Sequence, residues 1–293
     1  MTTPPPTPRR IDLATYPRAD ILRAFADRSL PQLSVTCEVD VTPIRQACQA
    51  LGVSFFLGMS YAVSRAVQAV PAFRQRVIDG VLCEYDRTDP GYTVARDGGL
   101  FSFCDGLHLD DFAAYCRENQ ARMDAVKLTP DLSVGTKHHM FFITTVPWLS
   151  FTAFTHPYDP LYAYIPVITL GKFTPRGDTW VMPVAVQAHH GVVDGIHLAQ
   201  FYDALAAVRL GDMKIHRPRA PFAPDQSTAR KRVKRAIIPA LPAACPNSRG
   251  ASSPRVRSRV RRGCRTAPAP CLPASNCRPK SRRRCCDRRC SLR

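Results

Sequence analysis

Residues 181–188 read Val-Met-Pro-Val-Ala-Val-Gln-Ala, a largely apolar run of strand length that empties into His189-His190-Gly191-Val192-Val193-Asp194-Gly195. Leu198, Phe201, Tyr202 and Leu205 then recur at helical spacing. A strand–turn–helix unit with two histidines, an aspartate and two glycines at its junction constrains the fold and marks a place for chemistry. A histidine has an ordinary pKa near 6.5, so a neutral, proton-accepting imidazole is available at pH 7. His190 is the better base of the pair, with Asp194 close enough to brace the turn and Gly191 and Gly195 permitting close backbone approaches. The residues alone leave a second reading open, in which the pair merely caps a strand.

The rest of the body supplies partners for this unit. Patterning predicts helices near Arg18–Ala26, Phe55–Val70 and Phe112–Val126, and a strand near Leu33–Val39. Val77–Tyr85 reads as a hairpin turning at Asp79-Gly80, and Thr93–Val94 and Phe101–Cys104 read as strand pieces. Later strands are expected at His139–Thr145, Ser150–Phe154, Val167–Lys172 and Thr179–Ala188, with Arg176-Gly177-Asp178 turning before the last. This order suits an α/β fold, a two-layer sandwich of a mixed β-sheet covered by helices.

The string from His189 to Gly195 resembles the HHxxxDG signature of the chloramphenicol acetyltransferase family, and its surroundings extend the match. Pro147-Trp148-Leu149-Ser150-Phe151-Thr152-Ala153-Phe154 is similar to the family's PWxSFxxF block, and Thr169-Leu170-Gly171-Lys172 to its T-M-G-K segment. Pro71-Ala72-Phe73-Arg74, Asp79-Gly80 and Asp89-Pro90-Gly91-Tyr92-Thr93-Val94 follow in the family's order, so the resemblance spans roughly residues 10–210. Condensation domains and dihydrolipoamide acyltransferases share the motif. The former are about twice as long, and the latter usually follow lipoyl segments that this sequence lacks.

The resemblance implies direct acetyl transfer from acetyl-CoA, a co-substrate rather than a bound cofactor, to the 3-hydroxyl of chloramphenicol. By position, His190 would be the general base, and Thr144 the hydroxyl donor to the oxyanion where the family has serine. Asp194 would pair with Arg18 to hold the loop. Phe25, Phe101 and Phe154 align with positions lining the acceptor pocket, Thr169 with a hydroxyl near the intermediate, and Trp148 and Lys172 with positions near CoA. Ser150 stands after the tryptophan and does not align with the oxyanion position. Outside the resemblance, Arg18 and Lys172 read equally as solvated charges and the phenylalanines as ordinary core. The family's sites lie between subunits of a homotrimer. Transfer to another acceptor, and in a different class nucleic-acid binding through the basic tail, are the competing expectations.

Composition divides the chain. The formal charge of +18 lives in residues 214–293, which hold 23 of the 41 basic and 2 of the 23 acidic residues, leaving residues 1–213 at −3. We read residues 1–10 as a flexible N-terminus, 11–213 as the acetyltransferase domain, and 214–293 as a basic Pro/Arg/Cys-rich tail expected to be disordered. Frameshift or read-through is the leading account of that tail. Its basic runs would bind nucleic acid only non-specifically, since no aromatic platform or recognition module accompanies them. The 12 cysteines show no paired metal-ligand spacing. No apolar leader or membrane-length segment stands out, which suits a bacterial cytoplasmic enzyme.

Overall fold

The computed structural model describes residues 4–133 and 135–210. The expectations for residues 211–293 lie outside the described residues.

The chain opens with β1 (Pro8–Arg10), α1 (Ala19–Ala26), β2 (Gln32–Asp40), α2 (Thr42–Leu51) and α3 (Phe55–Ala69). There follow β3 (Gln75–Ile78), β4 (Val81–Tyr85), β5 (Asp89–Ala95), β6 (Phe101–Asp105) and α4 (Phe112–Leu128). It closes with β7 (Met140–Thr145), β8 (Val167–Leu170), β9 (Thr174–Arg176), β10 (Thr179–His189) and α5 (Gly195–Ala207). The main sheet runs β2-β10-β8-β7-β5-β6, with β9 on β10. Its β5–β7 and β7–β8 pairs are parallel and the others antiparallel, so the sheet is mixed, as expected. A smaller sheet orders β1-β4-β3.

Local chemistry sets the element ends. Ser54 starts α3 by accepting the Leu57 N–H at 3.2 Å. The β3–β4 hairpin turns on Asp79 and Gly80 with φ of 49° and 77°, the positive angles that a tight hairpin requires. Fully buried Arg76 has no carboxylate partner among the described residues. It donates instead to the carbonyls of Phe73, Gln75, His138 and Met140, tying β3 to the start of β7, and burial lowers its pKa to about 9.

Three expectations change. Residues 8–10, read as part of a flexible terminus, form β1 against Cys83–Tyr85 of β4. Helix α2 was not expected, although Pro43 at its start, Ile44 and Cys48 four apart, and Gly52 at its left-handed end signal it. Residues 150–154 form a loop rather than a strand. After β7 the Val146 N–H still bonds Leu170 O, but Pro147 has no N–H to continue the ladder, and Phe151 and Phe154 stack 5.2 Å apart instead.

Strand alternation gives the sheet two unlike faces. One carries Tyr92, Val94, Ile143, Ile168, Leu170, Val184, Val186 and Ala188, which bury against Met59 and Val63 of α3 and Leu198, Phe201 and Leu205 of α5. The other face carries Thr93, Thr144, Thr169, Ala185, Gln187, Ser34 and Thr36, joined row by row across the ladder. Helices cover only the first face.

Candidate active site

The end of β10 delivers the histidine pair into a tightly bonded loop. His189 is 2% exposed and stacks on Tyr164 at 4.0 Å, while its Nδ1 accepts the Gly191 N–H at 3.0 Å. A Cβ on residue 191 would stand 3.0 Å from that imidazole, so glycine is needed there for space. Burial, with the neighbouring His190 adding, lowers the His189 pKa to about 4. It is a neutral brace of the loop.

His190 is anchored at three points: its N–H donates to Pro31 O at 2.8 Å, its carbonyl accepts from Arg18 Nη2 at 3.3 Å, and its Nδ1 lies 3.1 Å from Val193 O. A carbonyl only accepts, so Nδ1 carries the proton and Nε2 keeps the lone pair. Phe25 of α1 packs on the ring at 4.5 Å. Arg18 also donates to Asp194 Oδ2 at 3.2 Å. Asp194 caps α5 by accepting the Gly195 N–H at 2.7 Å, and its own N–H donates to His197 Nδ1 at 3.0 Å. The Gly195 bond, helped by Arg18 and opposed by burial, lowers the Asp194 pKa. Gly195 itself has open space around it and ordinary backbone angles, so its expected steric role is not required.

The remaining candidates gather elsewhere. Thr144, half-buried on the polar sheet face, lines a cavity of about 320 Å³ with Gly91, Thr93, Phe103, Phe142, His156 and Gln187. Thr169 stands beside Thr144 in register, and its Oγ1 is 2.8 Å from His156 Nε2. Phe154 packs on His156 at 5.0 Å, and Phe101 on cavity-lining Phe103 at 5.6 Å. Lys172 lines a second cavity, of about 520 Å³, with Phe55, Phe56, Thr145, Pro147 and Phe173. Trp148, next to Pro147, is 75% exposed. Thr93 belongs to both cavities, and the adjacent Thr144 and Thr145 line one each, so the two spaces adjoin this part of β5 and β7 from opposite faces of the sheet.

His190 lines neither cavity. The ladder explains why. Thr144, Thr169 and Ala185 form one cross-strand row, and His189 is four residues further along β10. That is roughly 13 Å along the strand and roughly 10 Å across two strand spacings. Two side chains so separated cannot both reach one reacting carbon.

Sequence reasoning missed His156, Gln187 and Thr93 as cavity residues. Gln187 had a signal, a polar residue interrupting an apolar strand with the parity of His189. His156 had none, standing in a loop with no periodicity. Elsewhere, Ser64 Oγ, His108 Nδ1 and Asp110 carry the residue types of a triad, with a first contact of 2.8 Å. Ser64 is fully buried and none of the three lines either cavity, so this is a core hydrogen bond.

Residues 8–206 match the family described as chloramphenicol acetyltransferase, which makes the chain an acetyltransferase. It belongs to the chloramphenicol acetyltransferase family. The chain is similar to chloramphenicol acetyltransferase 2 of Escherichia coli, 32% identical over 204 residues covering 67% of this chain and 94% of the relative. Likewise it is 28% identical to chloramphenicol acetyltransferase of Proteus mirabilis over 200 residues, covering 67% and 91%. A solved chloramphenicol acetyltransferase superposes with a TM-score of 0.65 at 30% identity, covering 68% of this chain and 98% of that one. No helix among the described residues is long and apolar enough to cross a membrane.

Proposed function

We propose that this chain moves the acetyl group of acetyl-CoA to the 3-hydroxyl of chloramphenicol, at sites assembled between copies of the chain. The observation that carries the reading is the pair of cavities that share Thr93, one lined by Thr144 and the other by its neighbour Thr145, which offers two substrates separate spaces beside one segment of the sheet and supports transfer without a covalent enzyme intermediate. The acceptor occupies the cavity beside Thr144, Phe103 and His156. The CoA thioester enters through the cavity beside Pro147 and Lys172, with Trp148 at its edge.

In the neutral His190 ring, whose Nδ1–H donates to Val193 O, Nε2 takes the acceptor hydroxyl proton as that oxygen attacks the thioester carbonyl. A carbon–oxygen bond forms, Thr144 Oγ1–H donates to the oxyanion, the carbon–sulfur bond breaks, and His190 returns the proton to the CoA thiolate. Arg18 and Asp194 hold the loop that presents the histidine, and Phe25 sets the ring plane. The ladder separates Thr144 from His190 in one chain, so the histidine comes from a neighbouring copy. A closed ring of three, each presenting one end of its sheet to the next, satisfies this with identical contacts. Bacterial relatives and the absence of a membrane-length helix among the described residues support a cytoplasmic enzyme.

The test follows CoA thiol release from acetyl-CoA with and without chloramphenicol. Release should depend on chloramphenicol and fall at least about 100-fold in His190→Ala. Equal rates in the two proteins would remove His190 as the base, and no chloramphenicol dependence would remove the acceptor.

A further inference from the structure

The strand register maps the floor of the cavity beside Thr144. Thr144 shares a cross-strand row with Thr93 and Phe103, and the next row on the same face reads Val167, Phe142, Gly91 and Asp105 from β8 to β6. Both rows line the cavity. Gly91 has no side chain, and the Phe142 ring takes that place: a Cβ on residue 91 would stand 2.8 Å from Phe142 Cδ1. The middle of the floor is therefore a flat aromatic face, with Tyr162 edge-on to Phe142 at 5.6 Å. At its β6 end the row closes on an ion pair. Lys137 Nζ donates to Asp105 Oδ1 at 2.6 Å, and Lys137 lines the same cavity with its side chain 17% exposed. Asp105 lies two residues along and two strand spacings across from Thr144, roughly 12 Å between backbones.

We propose that Lys137 is a specificity-determining residue of this cavity: its ammonium donates to a neutral, paired-oxygen substituent at the far end of an aromatic acceptor, such as the nitro group of chloramphenicol. The acceptor ring then lies on Phe142, and the hydroxyl to be acetylated stays beside Thr144. The inference rests on the acetyltransferase reading of this cavity and deepens it. An ammonium has three N–H donors, and Asp105 takes one. Charge decides what the others select. Asp105 and Asp159 both line the cavity, Asp159 accepting the Leu161 N–H at 2.9 Å, so two carboxylates stand against one ammonium and disfavour an anionic substituent. A cationic substituent would meet Lys137 itself. A neutral group rich in acceptor oxygens satisfies the spare donors and escapes both repulsions.

The experiment compares chloramphenicol with its analogue carrying hydrogen in place of the nitro group, in full-chain wild type, Lys137→Met and Lys137→Arg, with kcat and KM as readouts. Lys137→Met should raise KM for chloramphenicol about tenfold with kcat within about twofold, the mark of a contact made equally before and during reaction. For the nitro-free analogue, KM should agree within about twofold between the two proteins. Lys137→Arg keeps charged donors and should hold the chloramphenicol KM within about threefold of wild type. A rise shared by both compounds, an unchanged chloramphenicol KM in Lys137→Met, or Lys137→Arg as weak as Lys137→Met would overturn the proposal. Wild type alone gives a check that needs no variant, since equal KM values for the two compounds would also overturn it. Wild-type protein without chloramphenicol-dependent release would instead sink the function. Calorimetric Kd values for the two compounds would then decide the inference: a preference of about tenfold for the nitro compound, lost in Lys137→Met, supports it, and no such preference overturns it.

Discussion

Arg18 donates to the carbonyl oxygen of His190 at 3.3 Å, across 172 residues of sequence, while another of its guanidinium nitrogens reaches Asp194 at 3.2 Å. One planar fork thus holds both the backbone of His190 and the cap of α5. Lysine offers a point charge with no second arm in that plane. Arg18→Lys should therefore lower kcat about 10- to 100-fold by letting the ring drift. The pair is partly solvated, with side-chain exposures of 19% and 43%, so the melting temperature should hardly move. Steady-state kinetics beside a thermal melt separate the two effects.

The separation of Thr144 from His190 within a chain makes complementation the sharpest check of a shared site. His190→Ala and Thr144→Val proteins should each be nearly inactive. Unfolded together and refolded as an equal mixture, they should recover about a quarter of the wild-type rate, because mixed rings contain one intact histidine–threonine pair. Recovery of nothing from a soluble mixture would place both groups in the same chain.

Thr144 itself should respond to the loss of its hydroxyl more than to the loss of its methyl. Thr144→Val keeps the shape and removes the donor, which should cost about 100- to 1,000-fold in kcat. Thr144→Ser keeps the donor and frees the torsion that the branched β-carbon stiffens, so its kcat should stay at or above wild type. The same thiol-release assay reports both.

His189 makes stability depend on pH with a defined sign. Its folded-state pKa, about 4, lies below the ordinary 6.5, so the unfolded chain takes up the proton first as pH falls. The contribution is complete above pH 6.5 and is lost on acidification toward pH 4, by ~3 kcal/mol in all. Denaturant melts of wild type and His189→Asn at pH 7 and pH 4.5 should show a smaller pH dependence in the variant, whose amide oxygen still accepts the Gly191 N–H. Equal dependence in both proteins would assign the acid lability to other groups.

Much of this was legible in the sequence because it is local. The Val181–Ala188 strand, the Asp79-Gly80 turn and the helix over Phe55–Ala69 announce themselves by period and by glycine chemistry. The Arg18–Asp194 pair came from the family resemblance alone, since nothing in spacing joins residues 176 apart. Ser150–Phe154 misled because two aromatic side chains three apart satisfy each other in a loop as readily as on a strand. His156 was invisible because its placement in the cavity wall exists only through Gln187 and Thr169, which β10 and β8 bring to it.

Thr93 gives the molecule the character of a septum with a chamber on either side. The same residue faces the chamber beside Phe103 and the chamber beside Met123, with the strand of β5 as the partition. One elongated compound carrying an aromatic head and a thioether-linked tail that engaged both chambers would surrender its freedom once where two separate ligands surrender it twice. An inhibitor of this enzyme gains most by spanning the partition rather than by filling either side.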